Sequence, residues 1–388
     1  MNIAIDLRPL IGGRLSGVEI FTGNLVKNLV RIDHKNTYIL WINSFAGQSE
    51  TLAGFSVPAG HPNNVRCIQT KIPNRILNFL LFFFNKPSLS KLLSKKLSLK
   101  IDLFLLPDLR PASFGKKVKT ICVVHDLSFE RYPEFFSKKT RIWYKLLNAK
   151  KRLKSFDGII AVSASTKKDL IETYKIDPQK IKVIHEGSPA MYPHGMEAHS
   201  FNGEKIAAVR KKYALPSKYF FFLSTIEPRK NIRRMIDAFH EFKKTDAENI
   251  KLVIGGAVCP EIFARQKIRI PKDVILTGFI PEDEKPYLFH LAEAFVYPSL
   301  YEGFGLPLLE AMSCGTPIIT SNTSSMPEVC GDAALFFDPE NTEEITAAMR
   351  KIVNPNIRAG LKEKMSAQIK KFNWNKCAEE TLELIESL

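Results

Sequence analysis

The chain has 388 residues, of which 45% are hydrophobic and 25% charged, a composition that excludes a disordered or fibrous protein. Its length exceeds what one hydrophobic core usually supports, so we expect two domains. The net charge of +16 lies entirely in residues 1–200, which hold 31 Lys and Arg against 15 Asp and Glu, whereas residues 201–388 hold 25 of each. This asymmetry predicts an anionic surface or partner on the N-terminal side.

Short apolar runs alternate with longer amphipathic stretches along the chain, which is typical of α/β proteins with parallel sheets. We therefore predict two doubly wound domains, residues 1–190 and 217–371, joined by an irregular linker at 191–216. The predicted strands are Asn2–Asp6, Thr37–Ile42, Leu103–Leu106, Ile121–His125, Gly158–Val162 and Lys182–Ile184 in the first domain, and Tyr219–Ser224, Lys251–Gly255, Val274–Thr277, Ala294–Tyr297, Ile318–Thr320 and Ala334–Phe337 in the second.

No apolar run approaches the roughly 20 residues that span a bilayer, and residues 1–6 look like a strand rather than the start of a signal peptide. The six cysteines are scattered without C-x-x-C spacing. We expect reduced thiols in a cytoplasmic protein, without disulfides or a zinc site.

A glycine-containing segment, residues 12–19, follows the first predicted strand. It does not have the G-x-G-x-x-G pattern, so it gives no support to a dinucleotide cofactor. Its glycines, Gly13 among them, would let the backbone approach a phosphate or an acceptor closely. An ordinary flexible loop between strand and helix explains the segment equally well, and the spacing does not separate the two interpretations.

Two stretches of the first domain combine cations with large apolar residues. Residues 71–100 contain seven Lys or Arg, no acid and the apolar run Ile76–Phe84, and residues 138–154 interleave cations with Trp143 and Tyr144. Buried helices with solvated basic flanks explain both stretches, and so does a surface that docks on anionic membrane headgroups. Nucleic-acid binding would explain the charge, but the sequence has no helix-turn-helix, zinc-finger or RNP-like segment, so we expect no nucleic-acid partner.

His125 stands at the end of a predicted strand, where α/β proteins place ligand contacts. Asp126 could orient the imidazole or cap the next helix. The pair lacks a clear third ligand, and no D-x-D motif follows a strand, so we expect no metal site. The segment Ser163–Ser165, before another predicted helix, is typical of a helix N-cap.

Arg229 and Lys230 lie between a predicted strand and a predicted helix. Two adjacent cations there can neutralise a diphosphate leaving group, Arg229 as a bidentate fork and Lys230 as a mobile charge. A solvated pair is the plainer explanation. Cations are unfavourable at a helix start, however, so their placement favours a functional role.

Two carboxylates, Glu302 and Glu310, bracket a glycine-rich turn that leads into a helix. Pro307 suits the first helical position, and Gly303 and Gly305 allow close backbone approach. The helix-start amides can bind a phosphate, and the carboxylates can accept sugar hydroxyls, so the run fits a sugar nucleotide. Acids at a helix start also stabilise the helix dipole without any ligand.

The charges of these two segments predict that Glu302 lies close to Arg229 and Lys230, which would keep its carboxylate ionised.

The stretch from Val296–Ser299 to Pro327–Val329 resembles the retaining glycosyltransferases of family 4. The resemblance implies a GT-B fold, in which two Rossmann-like α/β domains face each other across a cleft, and a C-terminal helix, 372–388, that returns to the first domain. It also implies metal-independent transfer without a cofactor. The residues that it marks are His125, Arg229, Lys230 and Glu302 as catalytic, and Gly13, Ser299, Gly303, Phe304, Gly305, Leu306 and Glu310 as donor-binding.

In the resembled family, the positions of Arg229 and Lys230 bind the donor diphosphate, that of Glu302 the donor sugar and that of Glu310 the ribose. Ser224 replaces a glycine found in many members, a change that leaves the two cations untouched.

The segments Glu227–Lys230 and Ser321–Glu328 look most like those of bacterial polysaccharide mannosyltransferases that use GDP-mannose. The resemblance therefore implies mannosyl transfer to a glycan or lipid-linked acceptor in cell-surface polysaccharide biosynthesis, in the cytoplasm or on the inner face of the cytoplasmic membrane. UDP-glucose enzymes share much of this framework. A non-catalytic sugar-nucleotide-binding or membrane-scaffold protein is the alternative function.

Overall fold

The computed structural model describes residues 1–12, 17–44, 64–188, 201–245, 249–256 and 269–388. The chain forms two compact units. The first comprises Met1–Gly187 together with Asn373–Leu388, and the second comprises Ser188–Phe372.

The first unit contains a parallel sheet whose strands are almost wholly buried near its centre, as in β4, where every residue is buried. The strand order is β3-β2-β1-β4-β5-β6-β7, so the direction of winding reverses between β1 and β4. Ligands of such sheets bind beyond the carboxyl ends of the strands at this reversal. The strands are β1 (Asn2–Asp6), β2 (Thr37–Asn43), β3 (Val65–Thr70), β4 (Leu103–Leu106), β5 (Lys119–Val124), β6 (Gly158–Ala161) and β7 (Ile181–Val183).

Helices connect these strands, and the larger of them bury one face. Leu77 and Leu81, four positions apart on α2, are fully buried, as the spacing of a helix facing a core requires. The described helices are α1 (Gly17–Ile32), α2 (Asn74–Phe83), α3 (Leu89–Leu97), α4 (Ser128–Arg131), α5 (Lys138–Leu147), α6 (Ala149–Ser155) and α7 (Ala164–Tyr174).

The second unit contains a parallel sheet of order β10-β9-β8-β11-β12-β13, which reverses between β8 and β11. The aromatic run Phe220–Phe222 of β8 is fully buried, as expected for a central parallel strand. The strands are β8 (Tyr219–Leu223), β9 (Lys251–Gly255), β10 (Val274–Gly278), β11 (Ala294–Tyr297), β12 (Ile318–Ser321) and β13 (Ala334–Phe337). The described helices are α8 (Gly203–Lys212), α9 (Ile232–Lys243), α10 (Lys285–His290), α11 (Leu306–Ser313), α12 (Met326–Cys330), α13 (Thr342–Ile352) and α14 (Pro355–Ile369).

The last helix, α15 (Trp374–Ser387), packs against α1 within the first unit. The Phe21 and Trp374 rings are 5.9 Å apart. Gly187 passes so close to Trp374 that a Cβ there would lie 2.4 Å from the indole, so only glycine fits.

All the predicted strands are present, with ends within two residues of those expected. One further strand, β3, was not predicted, because it is a polar edge strand with only two fully buried residues. The predicted linker at 191–216 contains a helix, Gly203–Lys212, and its first ten residues lie outside the described ones. Among the helices that the structure describes, none is long and apolar enough to cross a membrane.

Candidate active site

Two loops meet where the second sheet reverses, beyond the neighbouring strands β8 and β11. The loop after β8 contains the 3-10 turn Pro228–Lys230 before α9 begins at Ile232. The loop after β11 carries Glu302 towards α11. Leu300 N donates to Arg229 O at 2.8 Å, which fixes the two loops to each other.

Arg229, Lys230 and Glu302 form one ion cluster at this edge. Lys230 Nζ lies 2.6 Å from Glu302 Oε1, and Arg229 Nη1 lies 2.7 Å from Glu302 Oε2. Arg229 Nε also donates to Glu227 Oε2 at 2.8 Å. The predicted proximity of Glu302 to both cations is confirmed.

Lys230 and Glu302 are buried and Arg229 is partly exposed, and the charges of the three side chains control their ionisation. Burial alone would raise the pKa of Glu302, but Arg229 and Lys230 outweigh it and lower that pKa to about 2. Burial and the positive charge of Arg229 lower the pKa of Lys230, while Glu302 acts in the opposite direction. Glu302 is therefore an anion at neutral pH, as the sequence predicted.

Tyr297, at the end of β11, completes the cluster, and sequence reasoning assigned it only to the strand. Its hydroxyl accepts from Lys230 Nζ at 2.9 Å and donates to Glu302 Oε1 at 3.0 Å. Burial, followed by the charge of Glu302, raises its pKa well above the usual range, so it stays a neutral donor. Ser299 is fully buried beside Glu302 and helps to lower the pKa of that carboxyl.

Two serines that sequence reasoning did not assign hold the turn after Glu302 in place. The Glu302 amide donates to Ser324 Oγ at 2.9 Å. Ser325 Oγ donates to Glu302 O at 3.1 Å and to Phe304 O at 2.7 Å. Their position after β12, the next strand of the sheet, is the signal that could have indicated them.

The glycine-rich turn leads into α11 as predicted. Gly305 has φ +107°, a conformation that favours glycine, and α11 begins at the next residue, Leu306, followed by Pro307. Gly303, Phe304 and Leu306 are all buried in this turn. The α11 amides and helix dipole can therefore act on a phosphate.

Glu310 lies in the second turn of α11, and its partner is a cation that the sequence did not indicate. Burial raises the pKa of Glu310, and Lys285 Nζ, 3.8 Å from its Oε1, opposes that rise. Lys285 also lies 2.5 Å from Glu282 Oε1. Only the fold brings the distant Lys285 to Glu310, so spacing offered no signal.

His125 follows β5 in the first unit, and its orienting partner is Glu186 rather than Asp126. The His125 Nδ1 and Glu186 Oε1 atoms are 3.3 Å apart, and Nε2 lies 2.9 Å from Pro107 O. Burial would lower the pKa of His125, but the hydrogen bond and charge of Glu186 raise it. Asp126, two residues before α4 begins, accepts from the amide and hydroxyl of Ser128, the first residue of that helix, so it contacts the helix start without being its N-cap residue.

The other predicted residues have simpler outcomes. Gly13 lies outside the described residues. Ser163 Oγ accepts from Thr166 N at 3.0 Å and caps α7, as predicted. The five cysteines that the structure describes are free thiols. Within the same part of the chain, no group of three or more His, Cys, Asp or Glu side chains could hold a metal ion.

Comparison with known protein families shows which proteins this chain resembles. The profile described as "Glycosyltransferase Family 4" matches residues 15–188, and "Glycosyl transferases group 1" matches residues 205–372. The O-antigen chain mannosyltransferase B of Escherichia coli is 30% identical over 270 residues, which make up 68% of this chain and 69% of that protein. The chain belongs to glycosyltransferase family 4. This member of the family is therefore an enzyme, a glycosyltransferase, and the predicted family is confirmed.

Other proteins resemble this family 4 glycosyltransferase in sequence or in fold. The serotype-specific mannosyltransferase WbdA of Escherichia coli is 32% identical over 280 residues, and the chain spans 33% of its length. The crystal structure of Anabaena HepE in complex with UDP and glucose matches with a TM-score of 0.71 and 17% identity, covering 100% of both chains. WaaG, a glycosyltransferase involved in lipopolysaccharide biosynthesis, matches with a TM-score of 0.68 and 15% identity over 99% of both chains. These structures confirm the predicted GT-B class of two Rossmann-like domains.

Proposed function

We propose that this glycosyltransferase transfers mannose from GDP-mannose to a hydroxyl of a glycan or lipid-linked acceptor, with retention of the anomeric configuration. The observation that carries the proposal is the ion cluster of Arg229, Lys230 and Glu302 at the reversal of the second sheet, in which Lys230 and Glu302 are buried. Cations held in a site of low polarity are strongest where negative charge develops on a leaving group.

Each residue then has a role. Arg229 and Lys230 bind the departing diphosphate, which the α11 amides also stabilise, and Glu302 accepts hydroxyls of the donor sugar. Glu310, held beside Lys285, accepts the ribose hydroxyls. Arg229, Lys230 and the helix amides neutralise the negative charge of the diphosphate, so the proposal requires no metal ion or cofactor.

The proposed chemistry takes place on one face of the sugar. The acceptor oxygen bonds to the anomeric carbon as the bond from that carbon to the phosphate oxygen breaks, and the phosphate takes the acceptor proton. No enzyme nucleophile takes part, so no covalent glycosyl-enzyme forms.

The names of the relatives support mannose as the transferred sugar. The O-antigen chain mannosyltransferases B and RfbU, of Escherichia coli and Salmonella typhimurium, are 30% and 28% identical to this chain over the matched regions. HepE was crystallised with UDP-glucose, but at 18% identity that likeness concerns the fold alone. The names of the same relatives support an acceptor in cell-surface polysaccharide biosynthesis.

Peripheral attachment to the inner face of the cytoplasmic membrane is part of this proposal. An apolar patch of six exposed side chains, on α2, on the residue that follows α2 and on α5, supports it, because amphipathic surfaces of this kind dock on anionic lipid. Cations on the same helices, such as Arg75, Lys138 and Lys145, add electrostatic attraction. The apolar patch consists of Ile76, Phe79, Phe83, Phe84, Ile142 and Leu146, which are 49% to 60% exposed.

Flotation tests the membrane part of the proposal. The protein should float with vesicles that contain anionic lipid and less so with neutral vesicles or at high salt. Failure to float with anionic vesicles at low salt would remove this part and leave the transferase activity unaffected.

A turnover assay tests the chemistry. Purified protein is incubated with GDP-mannose or UDP-glucose and an alkyl mannoside acceptor, with and without EDTA, and NMR determines the anomeric configuration of the product. We expect an α-linked mannoside with GDP-mannose in both conditions, and a loss of kcat of about 10²- to 10³-fold in Arg229→Ala. A β-linked product, or a trapped covalent glycosyl-enzyme, would overturn the mechanism.

A further inference from the structure

Tyr297, at the end of β11, bonds through its uncharged hydroxyl to both members of the buried Lys230–Glu302 pair. The residue is 1% exposed. Its ring lies nearly parallel to those of Phe222 on β8 and Phe295 on β11, with centroids 6.3 and 5.5 Å away. Because rings on two neighbouring strands hold the phenol in place, its hydroxyl is a fixed point to which the longer side chains bond.

The chemistry of the three groups determines the direction of both hydrogen bonds. A lysine ammonium can only donate, so the phenol oxygen accepts from Lys230 Nζ at 2.9 Å. The single phenol proton is then left for the ionised carboxylate, and Tyr297 donates it to Glu302 Oε1 at 3.0 Å. The side chain at position 297 must therefore both accept and donate, which a phenylalanine of the same shape cannot do.

The two bonds leave Lys230 with one donor of defined direction. Of its three ammonium N–H groups, one bonds to Glu302 Oε1 at 2.6 Å and one bonds to Tyr297. Among the residues that the structure describes, the third N–H has no partner. Because the N–H groups of an ammonium are arranged tetrahedrally, two fixed bonds also determine the direction of the third. Lys230 is thus a directed donor.

The same hydroxyl decides which oxygen of Glu302 can bind a sugar hydroxyl. Oε1 already accepts from Lys230 and from Tyr297, and these two bonds fill its two lone pairs. Oε2 accepts from Arg229 Nη1 at 2.7 Å. A further hydroxyl can therefore bond to this carboxylate only at Oε2.

We propose that Tyr297 is a positioning residue for the donor: its hydroxyl orients the third N–H of Lys230 towards the leaving diphosphate and directs the sugar hydroxyl to Glu302 Oε2. The proposal rests on the proposed function, since it takes the diphosphate and the sugar of the donor to bind at Lys230 and Glu302. The phenol acts only through these two side chains, because it is itself buried.

Loss of the hydroxyl should make Lys230 easier to deprotonate. Burial and the charge of Arg229 lower the pKa of Lys230, whereas Glu302 and Glu227 oppose them. Without the phenol a buried ammonium loses one acceptor, so this pKa should fall further. The pKa of Tyr297 lies well above its usual range, so the phenol stays neutral. Because the charged lysine is the active form, the alkaline limb of the kcat/KM profile should move to lower pH.

Steady-state kinetics of Tyr297→Phe with GDP-mannose and an alkyl mannoside, from about pH 6 to about pH 10, test the proposal. We expect kcat to fall about 10- to 100-fold, the usual effect of one lost hydrogen bond to a charged group. KM for GDP-mannose should change less than kcat, because the negative charge of the diphosphate grows as its bond to the sugar breaks. The alkaline limb should lie at lower pH than in the wild type.

Tyr219→Phe is the matched control. Tyr219 is fully buried on the neighbouring strand β8, and its hydroxyl donates to Leu288 O at 2.7 Å. This variant should lose a similar amount of stability in thermal unfolding but keep the kcat and the alkaline limb of the wild type. If Tyr297→Phe is unstable, the kinetics are measured on Tyr297→Phe/Gly360→Ala, because Gly360 lies inside α14 with open space around it and alanine stabilises such a position.

Wild-type kcat in a folded Tyr297→Phe protein would overturn the proposal. A lower kcat with an unmoved alkaline limb would also overturn it, because the hydroxyl would then serve stability alone. Lys230→Ala separates these results from a failure of the proposed function. If Lys230→Ala loses activity and Tyr297→Phe does not, the role of Tyr297 fails alone. If Lys230→Ala keeps wild-type activity, or the wild type does not turn over GDP-mannose, the proposed function fails and the role of Tyr297 fails with it.

Discussion

Lys230 Nζ lies 2.6 Å from Glu302 Oε1, and the two side chains are 7% and 8% exposed. A buried ion pair adds little to stability relative to apolar residues, but breaking it leaves an uncompensated charge. The pair therefore holds two side chains of the proposed donor site in one geometry, with Tyr297 bonded to both.

Removing one partner of this pair should lower the free energy of unfolding. In Glu302→Leu, Lys230 and Arg229 remain as neighbouring cations, and we expect the free energy of unfolding to fall by roughly 3–5 kcal/mol. In Lys230→Met/Glu302→Leu the loss should be smaller than the sum of the single losses, because the buried ammonium is removed together with its carboxylate and Arg229 keeps its hydrogen bond to Glu227. Urea unfolding of the wild type, the two single variants and the double variant measures this coupling. Additive losses would contradict it, and Lys205→Met, which breaks the exposed pair with Asp283, is the control expected to change little.

The same carboxylate should make stability depend on pH. The pKa of Glu302 falls from its ordinary value of 4.5 to about 2 in the folded protein. Its contribution is therefore present above about pH 4.5 and is lost as the pH falls towards 2. Urea unfolding between pH 6 and pH 2.5 should show the wild type losing about 2.5 kcal/mol more than Glu302→Gln over this range. Parallel stability curves for the two proteins would show that Glu302 is not held as an anion.

Glu186 should set the ionisation of His125. Because the hydrogen bond to Glu186 raises the pKa of His125 against the effect of burial, Glu186→Gln should lower that pKa. An NMR titration of the imidazole protons measures it, with Asp126→Asn as the control, since Asp126 bonds to Ser128 instead. The stabilisation from this bond is full below pH 6.5, the ordinary pKa, and is lost as the pH rises through the higher folded-state pKa. An unchanged pKa of His125 in Glu186→Gln would show that Glu186 does not set the ionisation of His125.

The turn before α11 should not tolerate a side chain. Gly305 has φ +107°, and a Cβ there would lie 3.1 Å from Leu308 Cδ1, so Gly305→Ala should lower the free energy of unfolding by roughly 1–3 kcal/mol. Gly360→Ala is the control with the opposite expected effect, because Gly360 lies inside α14 with open space around it. This substitution should raise the free energy of unfolding by about 0.5–1 kcal/mol. Thermal and urea unfolding give both values. Equal effects of the two substitutions would show that φ at Gly305 imposes no constraint.

Sequence predicted the strands of both units because buried parallel strands are continuous apolar runs, as in Phe220–Phe222. It also predicted the ion cluster, since opposite charges at the carboxyl ends of two strands must be brought to one edge of the sheet. The same reasoning did not predict the polar edge strand β3, because an edge strand has no second neighbour to bury it.

The partners of the predicted site residues could not be derived in this way. Tyr297 looks like a core aromatic in a strand, and only the fold places its hydroxyl between Lys230 and Glu302. Glu186 reaches His125 across 61 positions of sequence. Lys285 reaches Glu310 in the same non-local way. Pattern and spacing report local structure, whereas these contacts depend on how separate strands and helices pack.

In the proposed function, the second unit binds a guanosine diphosphate sugar at Arg229, Lys230, Glu302 and Glu310. The most direct test is a thermal-shift and calorimetry panel of GDP, UDP, ADP, GDP-mannose and UDP-glucose on the wild type and on Glu310→Ala. A ligand that binds the folded state raises its stability by mass action. We expect GDP and GDP-mannose to stabilise the wild type selectively, and Glu310→Ala to lose that stabilisation while remaining folded. Stabilisation by UDP-glucose instead, or by none of the five, would contradict the claim.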